Sequence, residues 1–235
     1  SAGEDADFMR AALGLARRGL GQVWPNPAVG CVIVAGGRVV GRGRTAPGGR
    51  PHAETAALAM AGAAARGATA YVTLEPCAHH GRTPPCAEAL VAAGVARVVV
   101  ALGDPDPRVN GRGIAILRAG GITVETGCLA DAAAEVNRGF LSRVVRGRPA
   151  LTLKLATSLD GRIATATGES RWITGPRARA EVHLLRARAD AVMVGAATMR
   201  ADNPRLDVRG GGLEGARPIR VVVAGREALP RDGHL

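Results

Sequence analysis

Two spacings of apolar residues alternate along this chain. Residues 29–34 form an unbroken apolar run, residues 38–43 form a second extended stretch, and Ala35-Gly36-Gly37 between them predicts a hairpin. Residues 8–18 carry apolar side chains at helical spacing. Residues 52–66 are alanine-rich and helical until Gly67 stops them. The pattern then predicts a strand over 69–74, a helix over 86–93, an apolar strand over 95–102, a short helix over 114–119, a strand over 122–125 and one helix over 131–145. Helices alternating with apolar strands imply a layered α/β fold. Arg146-Gly147-Arg148-Pro149 interrupts the pattern and predicts a domain junction. Beyond it a strand over 150–156, a helix over 177–188 and strands over 191–194 and 219–224 make the second segment α/β as well, with Arg209-Gly210-Gly211-Gly212 as a loop.

Composition narrows this picture. The chain has 235 residues, 47% of them hydrophobic, yet only two Trp, one Tyr and two Phe. Its core must therefore be built from Ala, Val, Leu and Ile. No apolar run reaches the ~20 residues that a membrane-crossing helix needs. The acidic residues 1–7 lack the basic and apolar regions of a signal peptide, so a cytoplasmic protein is expected. The net charge of +11 invites a nucleic-acid reading. Scattered arginines and scarce aromatic platforms argue against it. Lys154 is the only lysine in the chain. Among so many arginines, it suits a task that needs an ammonium able to give up its proton, with chance retention as the alternative.

Chemistry concentrates in His52-Ala53-Glu54 and in Pro76-Cys77, followed after eight residues by Cys86. One imidazole, two thiolates and a carboxylate left free as a proton carrier form the set a zinc deaminase uses. Pro84-Pro85 predicts that Cys86 opens a helix, where the N-terminal field favours thiolate. A zinc-activated water would attack an amino-bearing ring carbon, with Glu54 moving its proton to the ring nitrogen and the departing amine. Two alternatives stay open: a Cys77–Cys86 disulfide, and a structural zinc completed by His79 or His80. A cytoplasmic chain disfavours the first, and Glu54 has no purpose in the second. Cys31 lies within an apolar strand and reads as inert core, and Cys128 has no metal-binding neighbour in sequence.

Several stretches make the chain similar to the bifunctional deaminase/reductase family of riboflavin biosynthesis. They are Pro25-Asn26-Pro27-Ala28-Val29-Gly30, Pro51-His52-Ala53-Glu54, the long segment from Leu74 through Cys77 and Arg82 to Cys86, Gly103-Asp104-Pro105-Asp106-Pro107, Lys154-Leu155-Ala156-Thr157-Ser158-Leu159-Asp160-Gly161-Arg162, Gly168-Glu169-Ser170-Arg171-Trp172 and Thr198-Met199-Arg200-Ala201-Asp202. The eight-residue cysteine gap is the specific part. The resemblance implies a cytidine-deaminase-like three-layer α/β/α domain over 1–147 and a dihydrofolate-reductase-like α/β domain over 148–235, incomplete at its C-terminus. It implies zinc-dependent deamination of 2,5-diamino-6-(5-phosphoribosylamino)pyrimidin-4-one, followed by NADPH-dependent reduction of the ribosyl group. The zinc ligands implied are His52, Cys77 and Cys86, with Glu54 and Lys154 catalytic. Asn26, Arg82, Asp104, Ser170, Arg186, Leu206 and Arg209 are implied at substrate, and Ala156, Trp172, Thr198 and Asp202 at NADPH. The partner expected is a small phosphorylated pyrimidine, with no nucleic acid and no membrane, and an incomplete sheet leaves room for a homo-oligomer.

Three departures stand out. Thr45 occupies a position where the family usually has a histidine that contacts substrate. Asp106 adds a carboxylate that phosphate would disfavour unless it faces away. The second segment is much shorter than the family's reductase half, which makes its activity doubtful. The rival readings are a deaminase of another nucleoside or base, and a zinc-stabilised scaffold without catalysis.

Overall fold

The computed structural model describes residues 2–80, 84–226, 229 and 233–234. It divides into two compact units, Ser1–Ala150 and Leu151–Leu235. No helix among the described residues is long and apolar enough to cross a membrane.

In the first unit five strands make one sheet. They are β1 (Gly30–Ala35), β2 (Arg38–Arg44), β3 (Thr69–Val72), β4 (Arg97–Val100) and β5 (Thr123–Thr126), in the order β2-β1-β3-β4-β5. β1 runs antiparallel to β2 and β3, while β3, β4 and β5 are parallel. Successive side chains of a strand face opposite sides, and the cores sort accordingly. Cys31, Ile33, Ala70, Val72, Val98 and Val100 join one core. Val32, Val34, Tyr71 and Val99 join the other. The first core is covered by α2 (Ala53–Ala61), α3 (Cys86–Ala92) and α4 (Arg112–Ala119). The second is covered by α1 (Ala2–Arg17) and α5 (Ala130–Val136). The result is the expected three-layer α/β/α arrangement.

Small residues set how closely the layers approach. α2 turns Ala53, Ala57 and Ala61, one per turn, toward the sheet, and all three are buried. A Cβ on Gly43 would stand 2.1 Å from the Ala53 carbonyl oxygen, and one on Gly41 2.2 Å from that of Ala57. On the other face, a Cβ on Gly30 would lie 1.9 Å from the Ala12 carbonyl oxygen. Alanine ridges thus seat directly on glycine backbone, with no room for a larger pair.

The helix expected over 131–145 is two helices, α5 and α6 (Arg138–Arg146), because Asn137 between them leaves helical geometry at φ −100° and ψ 18°. Its buried side chain is spent on Ala28, donating to the Ala28 carbonyl at 3.0 Å and accepting the Ala28 N–H at 2.9 Å.

The second unit contains α7 (Pro176–Ala187), β6 (Ala191–Gly195), α8 (Ala196–Asp202) and β7 (Ile219–Val223). β6 and β7 pair in parallel. The strand expected over 150–156 has no ladder partner among the described residues. Its alternating Leu151, Leu153 and Leu155 are 76%, 82% and 64% exposed, so the period-two pattern finds no sheet face to cover. The sequence reading did not anticipate α8.

Candidate metal centre and cavity

The elements bring His52, Cys77 and Cys86 together. His52 sits in extended conformation immediately before α2, which places Glu54 in that helix's first turn. Cys77 follows the carboxyl end of β3, the side of a parallel sheet where ligand crevices form. Cys86 is the first residue of α3, and its backbone N–H donates to Cys77 Sγ at 3.3 Å. His52 Nδ1 lies 3.6 Å from Cys77 Sγ and 3.4 Å from Cys86 Sγ. All three donor atoms are within 4.8 Å of one another. Tetrahedral zinc with ordinary Zn–N and Zn–S lengths has N···S edges of about 3.6 Å, so the donor set fits that ion. His79 and His80 do not belong to the cluster, and both cysteines are free thiols, so neither alternative to a three-ligand site is formed.

The three donors share protons through their mutual contacts. The Cys86 thiol donating to Cys77 holds the Cys77 pKa down to about 4, and the same contact pushes Cys86 up. His52 is raised by its contact with Cys77. Glu54 is 3% exposed, and burial lifts its pKa to about 7. Its Oε2 is buried without a hydrogen-bond partner. A buried carboxyl titrating near neutrality with one oxygen uncommitted is suited to accept and return a proton.

His52, Glu54 and Cys77 line a cavity of about 320 Å³. Asn26, Thr45, Asp104, Asp106 and Arg108 share its wall. The Asn26 loop, residues 25–29, contains two prolines and cannot form a regular ladder. Three buried side chains hold it and the start of β1 instead. Thr45 Oγ1 accepts the Val29 N–H at 3.0 Å and donates to the Pro27 carbonyl at 3.1 Å. Asn137 grips Ala28, and Thr73 Oγ1 accepts the Gly30 N–H at 3.0 Å. Asn26 Nδ2 donates to the Gly49 carbonyl at 2.8 Å, where Gly49 has φ +87° and a Cβ would stand 2.5 Å from Asn26 Nδ2. Thr45 is therefore a wall residue whose hydroxyl is committed to the loop.

Asp104 is 7% exposed, and burial raises its pKa. It accepts the Asp106 N–H at 2.9 Å. Asp106 does face the cavity, contrary to the condition set from sequence, but its charge is answered. Arg108 reaches it with Nη2 at 2.5 Å and Nε at 2.9 Å, and the guanidinium holds its pKa at about 2. Arg82 lies outside the described residues.

Glu75 is the residue that the sequence reading missed. It is 4% exposed, and its carboxylate collects backbone N–H groups from residues 104, 111, 113 and 114. The signal available was a charged residue directly after an apolar strand and two positions before Cys77.

In the second unit, Arg186 of α7 is half-buried and donates to the Asp207 carbonyl at 3.0 Å. The Arg209 guanidinium pairs with Asp207 at 3.1 Å, its backbone N–H donates to His183 Nδ1 at 3.2 Å, and Leu206 is buried. These three expected substrate residues thus gather in one place. Thr198 and Asp202 are exposed on α8. Trp172 is exposed, with the Arg179 guanidinium 4.3 Å over its ring. Ser170 and Lys154 are exposed and Ala156 is half-buried, all outside regular secondary structure.

The sheet order, the His-x-Glu at the start of α2 and the paired cysteines define a cytidine-deaminase-like domain. The description "Cytidine and deoxycytidylate deaminase zinc-binding region" matches residues 2–102, and "RibD C-terminal domain", a dihydrofolate-reductase-like architecture, matches residues 149–235. The chain is 52% identical to riboflavin biosynthesis protein RibD of Escherichia coli, over 94% of this chain and 63% of that protein. It is 47% identical to the Aquifex aeolicus RibD, over 93% and 61%. Among solved structures it resembles Acinetobacter baumannii RibD, at TM-score 0.87 and 50% identity, covering 97% of this chain and 66% of that one. It also resembles a diaminohydroxyphosphoribosylaminopyrimidine deaminase/5-amino-6-(5-phosphoribosylamino)uracil reductase of Thermotoga maritima, at TM-score 0.88 and 42% identity, covering 94% and 63%. The chain belongs to the RibD family of riboflavin biosynthesis proteins. It spans roughly three fifths of the length of the curated relatives it matches.

Proposed function

We propose that this chain performs the deaminase reaction of riboflavin biosynthesis, replacing the ring amino group of a phosphoribosylated diaminopyrimidine by a carbonyl and releasing ammonia. The observation that carries the reading is the buried, uncommitted Glu54 carboxyl on the same cavity wall as His52 and Cys77. Zinc held by His52, Cys77 and Cys86 would supply an acidified water. Glu54 would carry one proton of that water to the ring nitrogen and the second to the departing amine. Asn26, fixed by Gly49, and Asp104, fixed by burial and its turn, are rigid polar groups suited to the pyrimidine edge. A cavity of about 320 Å³ matches a small ligand, at the lower end of the usual range.

The second unit carries the family's reductase sequence, and we assign to it the NADPH-dependent step. Lys154 and Ser170 would act at the sugar with Arg186, Leu206 and Arg209, and Ala156, Trp172, Thr198 and Asp202 would act at the dinucleotide. Its support is the grouping of Arg186, Leu206 and Arg209 around Asp207.

Ammonia release from the phosphoribosyl diaminopyrimidine, measured beside cytidine, tests the first assignment. Turnover of the former alone, with about one zinc per chain, is expected. Preference for cytidine would replace it with a nucleoside deaminase, and turnover of neither by zinc-loaded protein would leave a scaffold.

A further inference from the structure

Glu75 is a charged residue inside the fold, and the hydrogen-bond partners of its carboxylate among the described residues are all backbone N–H groups. Oε1 accepts from Gly113 at 3.0 Å and from Ile114 at 3.2 Å, at the start of α4. Oε2 accepts from Gly111 at 3.0 Å and from Asp104 at 3.3 Å. Four charge-assisted bonds converge on one carboxylate, which satisfies donors that a helix start otherwise leaves unpaired. The approach is close enough that a Cβ on Gly113 would stand 2.0 Å from the Pro76 carbonyl oxygen. Glu75 also belongs to the short segment that delivers Cys77, and its own N–H donates to the Leu102 carbonyl at 2.9 Å. One side chain therefore joins two pieces of the cavity wall. The first carries a metal ligand, and the second carries Asp104, Asp106 and Arg108.

We propose that Glu75 is a positioning residue that fixes the Cys77 segment and the Asp104 loop relative to each other. The idea rests on the deaminase reading for its catalytic consequence, though not for its effect on the metal site. Glu75→Gln keeps the size but presents an amide NH2 to two of the four donors, so those two lose their acceptor. Glu75→Asp keeps the charge but is one methylene too short to span both segments. In either variant the two walls shift by a fraction of an ångström to an ångström. A displacement of that size costs on the order of 100-fold in kcat/KM when reacting groups are misplaced.

The test compares parent, Glu75→Gln, Glu75→Asp and, as a stability control, Arg97→Gln. The control severs the Asp5–Arg97–Glu125 ion pairs away from the cavity. Zinc transfer to a chromogenic chelator and, where ammonia is released, kcat and KM are measured well below each Tm. The expected result is zinc loss at least about tenfold faster in both Glu75 variants, in line with the usual effect of groups that orient a metal ligand, with Arg97→Gln like the parent. A kcat/KM about 100-fold lower at equal zinc content should accompany it. Parent-like zinc transfer and kcat/KM in a folded Glu75 variant would overturn the proposal. So would unfolding of both Glu75 variants, which would make Glu75 a stability residue only. If the parent itself releases no ammonia, the deaminase reading fails, while chelator kinetics still decide the role of Glu75.

Discussion

Replacing Asn137 by alanine tests whether the cavity wall is held by buried side chains. Asn137 is 3% exposed and lies 109 positions from Ala28, yet it satisfies both the Ala28 N–H and the Ala28 carbonyl. Alanine leaves both unpaired, and each orphaned buried polar group costs about 1–3 kcal/mol. Better helix propensity between α5 and α6 returns at most ~0.7 kcal/mol. The net loss should be about 2–4 kcal/mol, allowing for partial relaxation of the loop. In urea, with a slope of about 2 kcal/mol per molar, the midpoint falls by about 1–2 M. Far-UV circular dichroism follows the transition. Asn137→Asp keeps the acceptor for the Ala28 N–H but loses the donor, so it should fall between parent and alanine. A loss below ~0.5 kcal/mol for Asn137→Ala, the scale of an ordinary surface change, would refute the reasoning.

Gly43→Ala should be costly out of proportion to one methyl group. Its Cβ would stand 2.1 Å from the Ala53 carbonyl, so α2 must move and carry His52 and Glu54 with it; about 3 kcal/mol or more is expected, with faster zinc loss to a chelator, and a neutral result would contradict the glycine–alanine seating. Asp5 governs part of the acid stability. Arg97 donates to both its oxygens at 2.8 Å and holds its pKa at about 2, with Tyr71 Oη donating at 2.7 Å. Because the folded pKa lies below the unfolded value of about 3.9, the stabilisation is present above that pH and fades as pH falls toward 2. Asp5→Asn should remove on the order of 1 kcal/mol at neutral pH and flatten the acid limb of a stability–pH curve; an unchanged limb would show the ion pair is idle.

The sequence carried the sheet and the His52–Cys77–Cys86 cluster because both depend on local spacing. The apolar strands within 29–34 and 69–74 present successive side chains to the two cores, and the His-x-Glu and Pro-Cys motifs place donors by their positions at element ends. The buried side chains that tie the cavity wall together were less legible. Glu75, Thr73 and Asn137 act through backbone groups distant in sequence, and nothing near Asn137 signals Ala28 or a helix break. Thr45 was legible as a departure, but its commitment to Pro27 and Val29 appears only in three dimensions. Asp106 shows the limit of charge counting, since the argument against it omitted the arginine two residues away. A strand was expected over 150–156, and none forms there, because an extended pattern alone does not supply a neighbouring strand.

The most direct test of the account is ammonia release by Glu54→Gln protein at equal zinc content, with the phosphoribosyl diaminopyrimidine as substrate. The glutamine preserves shape and leaves His52, Cys77 and Cys86 untouched, but it cannot carry the proton. A rate lower by at least about 100-fold, with zinc retained, is expected for loss of a positioned general acid–base. A rate within a few-fold of the parent would contradict the assignment of Glu54 and, with it, the proposed chemistry of the cavity.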